Sequence, residues 1–526
     1  MNQSSNRNRH KPLSQQSPNS NQHSTEKLDT WQQDQTKPEP IVSKDLDTNL
    51  EYLRKRFGHS SDLVTRQFVI HTSIRMRVAI VYVDGLANQD IIQEDIIQQL
   101  MRDELQASNM SKEQLIRYIT EHFLPVGGVQ VLSDWNTLIS NMLLGQSVLM
   151  LHGTNQMVTM STTGGNSRSI DEPNTDVVIR GPREGFIEVL RTNTALIRRR
   201  IRNPDLWLET MQIGTATQTN VSIMYMKSIA PDNVVNEVRS RLKKIELDAV
   251  LESGYIEKCI EDQNWTPFPT VFTTERPDSA AANLLEGKVV ILVDGTPFVL
   301  VVPVVFNQFF QVVEDYYSRY DISTALRILR LIIFFISFIG PSFYIAATTY
   351  HQEMIPTWLL ISLLTQLEAT PFSGFTEAIL MEIMFEILRE AGVRLPKAIG
   401  PAVSIVGALV IGQASVQAGL VSPAMVIVVS VTAISSFATP SFHLAISARL
   451  LRFVLMVSAA TLGLFGIIMT LIMICAHLCS LRSFGVPYMS PFTSTLRTNH
   501  DDSLFFLPRW LTYMKPKLSK SNSPVK

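Results

Sequence analysis

Long stretches of the C-terminal half carry no charge. No ionisable residue occurs from Ala398 to Phe442, and from Phe453 to Leu481 only Cys475, His477 and Cys479 titrate. A soluble core rarely needs uncharged apolar runs of this length, whereas a bilayer needs about 20 apolar residues per helical crossing. Cysteine is equally scarce. Cys259, Cys475 and Cys479 are the whole complement, which excludes a disulfide framework and a zinc cluster. Cys475 and Cys479 share a helix face and read as small hydrophobes. No P-loop, GxSxG or HExxH motif occurs, so the usual phosphate-binding, nucleophilic and metalloprotease signatures are missing. No enzyme activity, cofactor or metal is therefore expected. An excess of one charge is also absent, at 46 basic against 47 acidic residues. That excludes the uniform basic field by which proteins hold nucleic acid.

Residues 1–48 lack any apolar run. They are rich in Gln, Asn, Ser and Pro and read as a disordered polar tail with too little apolar surface to offset ordering entropy. No secretory signal opens the chain, so the domain that follows is expected on the synthesis side of the membrane.

What is present begins with α/β patterning. Met76–Val83 (MRVAIVYV) is a β-branched run ended by Asp84-Gly85, and an apolar-periodic helix follows over Ile91–Leu105. Ser147–Met160 reads as a hairpin turning at Gly153-Thr154-Asn155. The same order then recurs. LRKRF at 53–57 matches IRRRI at 197–201, Asp62-Leu63 matches Asp205-Leu206, and AIVYV at 79–83 matches SIMYM at 222–226. GQSVLMLHGT at 145–154 matches GKVVILVDGT at 287–296, so the offset stays at 142–144 residues. Four ordered matches predict two related α/β subdomains, at 50–165 and 166–305. Asp294-Gly295 marks a tight hairpin. Ser161–Glu184 reads as an exposed loop. Gly185–Ile201 reads as a helix whose Arg198, Arg199 and Arg200 form a solvated C-terminal end with a favourable dipole interaction; a site for an acidic partner is the alternative.

Residues 306–327 interleave Phe309, Phe310, Tyr316, Tyr317 and Tyr320 with Glu314, Asp315 and Arg319. This pattern suits an amphipathic helix on the membrane surface, with its rings at headgroup depth. An all-α polytopic membrane domain is expected over 328–480. Its spans fall near 328–349, 355–371, 400–420, 421–442 and 453–476, with a more polar helix at 374–391. The short segment ending at Pro371 reads as a crossing, with a dip as the alternative. Basic residues give conflicting topologies. Arg394 with Lys397, and Arg449 with Arg452, favour an odd number of crossings, whereas Lys515, Lys517, Lys520 and Lys526 place the 481–526 tail in the cytosol.

Two patterns in this half point to function. Gly400, Ser404, Ala408, Gly412, Ser415 and Gly419 align on one helix face, where small residues let another helix approach closely. The partner helix lies within the subunit or in a neighbouring one. Gln413 and Gln417 lie beside that stripe. Glu382, Glu386 and Glu390 repeat every four residues and share a second face, with Glu377 nearly opposite. A carboxylate column facing lipid is expensive, so it lines water or protein. These five residues, Glu382, Glu386, Glu390, Gln413 and Gln417, are the pore-lining candidates; an acidic face lying in solvent at the interface is the alternative.

The sequence resembles the A subunits of the GerA-family spore germinant receptors. The resemblance rests on GPREGFIEVLRTNTALIRRRIRNPDLWLE (181–209), PFPTVFTTERPD (267–278) and LLEGKVVILVDGTPFVLVVPVVFNQFFQ (284–311). It continues in IGQASVQAGLVSPAMVIVVSVTAISSFATPSF (411–442) and SFGVPYMSPF (483–492), and covers nearly everything between residues 50 and 515. The long tail at 1–48 departs from some members. The resemblance implies a subunit of an inner spore membrane complex, working with a transporter-like B subunit and a lipoprotein C subunit. It implies self-association and formation or gating of an ion path. A related spore membrane protein that acts in ion release without nutrient sensing is an alternative. A secondary transporter is another, although it would need paired broken helices in two inverted halves, and only the region near Pro371 is broken.

Overall fold

The structure is a computed structural model. It describes residues 41–490, apart from 71–74, 103–111, 123–125, 165–171, 174–175, 177, 395–406, 408 and 410–411. Most of the expected polar tail, the end of the C-terminal tail, and Gly400, Ser404 and Ala408 lie outside the described residues.

The first repeat opens with α1 (Leu46–Arg56). Asp45 caps it by accepting a hydrogen bond from Thr48 N, and Arg54, Lys55 and Arg56 occupy its last turn, where cations complement the helix dipole. Strands β1 (Leu63–Ile70) and β2 (Met76–Val83) follow. A π-helical stretch, Ile91–Ile97, continues into α2 (Gln98–Arg102), and α3 is Lys112–His122. Then come β3 (Gln130–Leu132), α4 (Trp135–Leu143), β4 (Ser147–Leu151) and β5 (Met157–Met160). The sheet order is β1-β2-β4-β5-β3, and every pair is antiparallel.

The second repeat restates that plan. It comprises α5 (Leu190–Arg200), β6 (Leu206–Ile213), β7 (Thr219–Met226), α6 (Asp232–Lys243), α7 (Ser253–Ile260), β8 (Phe272–Thr274), α8 (Pro277–Leu285), β9 (Val289–Val293) and β10 (Val299–Val302). Its sheet order, β6-β7-β9-β10-β8, is the first order carried forward strand for strand. Even the register is kept. Ala79 pairs with Met150 in the first sheet, and Ser222 with Leu292 in the second. The apolar runs β4 and β9 are fully buried because both faces of each sheet are covered by helices or loops.

The two repeats are locked together by buried charge. Arg198 of α5 donates to Asp62 from Nε at 2.5 Å and from Nη2 at 3.0 Å. Nη2 also reaches Ser60 Oγ, which accepts from Leu208 N. Arg56 of α1 reciprocates with Asp205 at 2.5 Å. The solvated arginine end expected for α5 is thus partly corrected. Arg198 is 1 % exposed and meets an acidic partner inside the chain, while Arg199 stays exposed. Gly58 matters here because its φ is +62° and an added Cβ would sit 2.0 Å from the Trp207 ring.

The segment 306–327 is not one amphipathic helix. Phe306–Phe310 and Val313–Tyr316 are two 3-10 turns, and α9 begins at Tyr320 and runs to Thr349. The physical reason is Asp315. It is 1 % exposed, and it draws Arg327 (3.1 Å) and Arg330 (2.8 Å) inward. Phe309 and Phe310 are buried with it, so these rings pack in the core.

The helical domain contains α9, then α10 (Thr357–Glu368), α11 (Gly374–Arg394), α12 (Pro423–Phe437) and α13 (Phe442–Ser480). Helix α9, at 30 residues, is about 45 Å long. Its outer surface is apolar, with Ile332, Phe335 and Phe343 about half exposed. Tyr350, just past its end, donates to the carbonyls of Ala460 and Thr461.

Helix α13 differs from the single span expected at 453–476. At Gly463 the backbone takes φ 63° and ψ −142°, which is not helical. Thr470 Oγ1 lies 2.9 Å from Ser458 Oγ, twelve residues away. In a straight helix those atoms would be about 18 Å apart. The element is therefore a helical hairpin with Gly463 at its tip, and a side chain at the tip would collide with His351 and Tyr350. Both legs end on the α/β side. The chain enters the domain at Tyr320 and leaves it at Leu481 on the same side, so it traverses an even number of times. Arg449 and Arg452 lie within the first leg, not in a loop.

Candidate functional site

Two arrangements in this fold concentrate polar contacts around the helical domain. One joins the second repeat to the membrane domain, and the other places charges inside that domain.

The junction centres on Thr266–Thr270 (TPFPT). Prolines hold this segment extended and leave its carbonyls without ladder partners. The membrane hairpin and the chain after it satisfy them. Ser447 Oγ on the first leg donates to Pro267 O. Thr266 Oγ1 lies 3.0 Å from His477 Nε2 on the second leg. Tyr488 Oη donates to Pro269 O at 2.7 Å, and Ser483 Oγ to Thr270 O at 2.8 Å. Tyr488 directly follows the short β11–β12 pair, Arg482–Ser483 with Val486–Pro487. Burial of Tyr488 pushes its phenol pKa up. Phe268, Val304, Phe309 and Phe310 share one apolar core with Leu444, Ala448, Leu478 and Leu481. The second repeat and the membrane helices are thus one packed body at this point.

A second strap runs from the inter-repeat segment. Arg276 holds Asp278 through Nε (3.0 Å) and Nη2 (2.6 Å), and also reaches Pro182 O and Asp176 O. Tyr317 Oη completes the group by donating to Asp278 Oδ2 at 2.9 Å. Burial, then this carboxylate, pushes the Tyr317 phenol up to about 12. Burial likewise raises the Asp176 carboxyl. Glu314 accepts from the backbone of Ile179 and Arg180, at 3.1 Å for Arg180. These contacts tie the chain between the repeats to the start of α9.

Inside the membrane domain the acidic face of α11 meets α13. Glu382 is 3 % exposed and accepts from Arg452 Nη1 at 2.7 Å. Glu386 accepts from Arg449 at 2.5 Å and keeps about half of its side chain open. Glu390 pairs with Arg394 at 2.6 Å on the surface. Within one chain the three carboxylates therefore face arginines. Glu377 lies apart from that face, fully buried. It accepts from Ser422 N, Ser422 Oγ and Thr370 Oγ1. It thereby joins the first turn of α11 to the start of α12, and helix N-termini favour a carboxylate there. A cavity of about 490 Å³ lies beside it, lined by Ser362, Thr365, Gln366, Thr370, Val416 and Gly419 among others.

Gln413 and Gln417 are exposed. Of the small-residue stripe, Gly412 lies 3.8 Å, as an added Cβ, from Val426 of α12, and Gly419 lies near Ala369 O. Ser415 is half-buried. The described part of the stripe thus packs within the chain. Among the described residues no group of His, Cys, Asp and Glu is arranged to hold a metal ion.

The sequence pattern did not single out Arg276 or Asp278, set Asp315 in an amphipathic segment and Glu377 opposite the acidic face, and used Arg449 and Arg452 only as topology signals. A usable signal existed for the last two. Arginines three apart inside an apolar helix need carboxylates, and Glu382 and Glu386 are four apart on another helix.

Comparison with known proteins identifies the family. Residues 51–518 match the family of Bacillus/Clostridium GerA spore germination proteins. The chain belongs to the GerA family. It is 50 % identical over 495 residues to spore germination protein KA of Bacillus subtilis, covering 94 % of this chain and 90 % of that protein. It is 43 % identical to the uncharacterized membrane protein YfkQ of the same organism, over 90 % of this chain and 91 % of that one. A crystal structure of the N-terminal domain of the A subunit of the Bacillus megaterium germinant receptor GerK3 is 41 % identical. It covers 51 % of this chain and 98 % of its own, with a TM-score of 0.42. For this GerA-family chain, the two-repeat α/β region and the polytopic helical domain stand on its own structure.

Proposed function

We propose that this chain is the A-type subunit of a spore germinant receptor, and that it couples nutrient sensing to the release of monovalent cations. The reading places it in the inner spore membrane with the α/β region on the cytosolic side. Its partners are a transporter-like B-type subunit and a lipoprotein C-type subunit. The similarity to named spore germination proteins supports the receptor assignment. The observation that carries the coupling is the shared core at Thr266–Thr270. A displacement of the second repeat moves both legs of the α13 hairpin, because Ser447 and His477 hold the same five residues.

In this reading several copies assemble around an ion path. Gln413, Gln417 and Glu390 are exposed and Glu386 is half open, so they are available to line water between copies. Rings of carboxylates attract cations and repel anions. Glu382 joins the ring only when it leaves Arg452. That requirement supplies a closed state for a dormant cell. Nutrient binding favours the open state only through differential affinity for it. Spores carrying Glu386→Gln and Glu390→Gln test the path. Slower potassium release at normal protein abundance supports it, and an unchanged rate places the path elsewhere.

A further inference from the structure

We propose that the cavity beside Glu377 holds one monovalent metal cation. The proposal rests on the cation reading above and gives the ion a place on the chain, apart from the face of α11 that carries Glu382 and Glu386. The first observation is a buried carboxylate without a countercharge. Glu382 and Glu386 each meet an arginine. Glu377 is fully buried, yet the donors it meets, Thr370 Oγ1, Ser422 N and Ser422 Oγ, are all neutral. Residues 340–380 and 412–426, which supply these partners and the cavity walls, contain Glu353, Glu368 and Glu377 but no lysine or arginine. A carboxylate taken out of water without a cation is costly.

The second observation is the chemistry of the wall. Ser362, Thr365, Gln366 and Thr370 line the cavity with Ala369 and Gly419, and hydroxyl and carbonyl oxygens are the ligands that hard cations take. Thr365 Oγ1 donates to Ile361 O at 2.8 Å, and Thr370 Oγ1 to Leu367 O at 2.9 Å and to Glu377. Their protons are thus engaged within the wall, and lone pairs remain for a ligand. Thr370 is the link between charge and cavity. It lines the space and bonds Glu377 behind it, so the carboxylate acts across one side chain and stays closed.

Helix ends add to the preference. Thr365–Ala369 form the last turn and cap of α10, and Val416 and Gly419 close the helical run 412–417. Two helix C-termini therefore meet at the cavity, and C-terminal carbonyls favour cations. The N-terminus of α12 faces the same place, but Ser422 caps it by accepting from Met425 N, and Glu377 neutralises it. The absence of a basic side chain from the wall disfavours an anion. A divalent ion asks for several carboxylates, and one carboxylate behind the wall suits a single positive charge. At about 490 Å³ the space admits the ion with part of its water shell.

The test is thermal unfolding of the full chain in nanodiscs, in potassium chloride and in choline chloride at equal concentrations, so that ionic strength is fixed. A ligand that binds only the folded state raises the unfolding temperature as its concentration rises. Potassium is expected to raise it above the value in choline, by a margin that grows with concentration. Thr365 is exposed and its hydroxyl bonds its own helix, so Thr365→Val is expected to fold. That variant should need about tenfold more potassium for the same rise, and Glu377→Gln roughly 10–100-fold more. Equal unfolding temperatures in the two salts overturn the proposal, as a protonated Glu377 would produce. A potassium effect retained in full by Thr365→Val and by folded Glu377→Gln also overturns it. Should potassium efflux still depend on Glu386 and Glu390 in either case, the path reading stands and this site alone falls.

Discussion

Thr266 Oγ1 and His477 Nε2 are 3.0 Å apart although 211 residues separate them in the chain. One belongs to the second α/β repeat and the other to the last turns of the membrane hairpin. Their contact closes a loop that begins at α9, passes through every membrane helix and returns to the domain from which it left.

Tyr488→Phe tests this junction with the smallest possible change. The hydroxyl donates to Pro269 O in a fully buried setting. Removing it leaves a buried carbonyl unsatisfied, at a cost of about 1–3 kcal/mol. We expect a lower unfolding temperature and slower potassium release in spores with normal amounts of the protein. Wild-type behaviour in both assays would show that the contact carries no coupling.

The repeats should come apart when Arg198 is replaced by Met. Asp62 would remain buried without its cation, and breaking a buried pair from one side costs about 3–5 kcal/mol. Abundance should fall sharply. Replacing Asp62 by Leu as well should recover much of the loss, because the unpaired charge goes. Measured unfolding of both variants decides this. Equal damage from single and double variants would mean that shape, and not charge, matters there.

Glu257 gives a pH dependence with a definite sign. Burial, then the neighbouring Glu261 and Glu252, push its carboxyl up to about 7. The folded state therefore binds the proton more tightly than the unfolded chain. Its favourable share is present at low pH and is lost as pH rises from the ordinary carboxyl range through about 7. Glu257→Gln keeps the neutral form at all pH values. Thermal unfolding should show the variant gaining on the wild type as pH rises from 5 to 8, by up to about 3 kcal/mol. Parallel curves would show that Glu257 titrates normally.

Gly463 sets the topology. Its φ of 63° with ψ −142° is open to glycine and strained for other residues. Gly463→Val should reduce the amount of membrane-inserted protein. In the wild type, cysteine reagents should reach labels placed at residues 45 and 490 from one side of the membrane, and a label at the hairpin tip from the other. Labels at 45 and 490 on opposite sides would contradict an even number of traverses.

The α/β half was legible because its signals are local and doubled. The run at 79–83 and its counterpart at 222–226 show period and composition on their own, and the constant offset predicted a shared sheet order, which both sheets adopt. The membrane half was legible as apolar but not as a path. Hydropathy reports burial in lipid and is blind to a reversal made by one backbone torsion, so Gly463 passed unnoticed inside an apolar run. The single amphipathic helix expected over 306–327 was replaced by two turns for a related reason. Aromatic and charged residues alternate both at a membrane surface and around a buried ion pair, and only the partners of Asp315 distinguish the two. The acidic column on α11 was visible, but the arginines that meet Glu382 and Glu386 lie about 60 residues or more further on, and a single sequence does not pair them.

Ion flux tests the account most directly. The chain is reconstituted with its B-type and C-type partners in potassium-loaded liposomes, and efflux is followed after nutrient addition. The account predicts little efflux at rest, rapid efflux with nutrient, and slower efflux when Glu386 and Glu390 are both Gln. Nutrient-triggered efflux that persists without this chain, or a complete absence of efflux from a complex that binds nutrient, would contradict it.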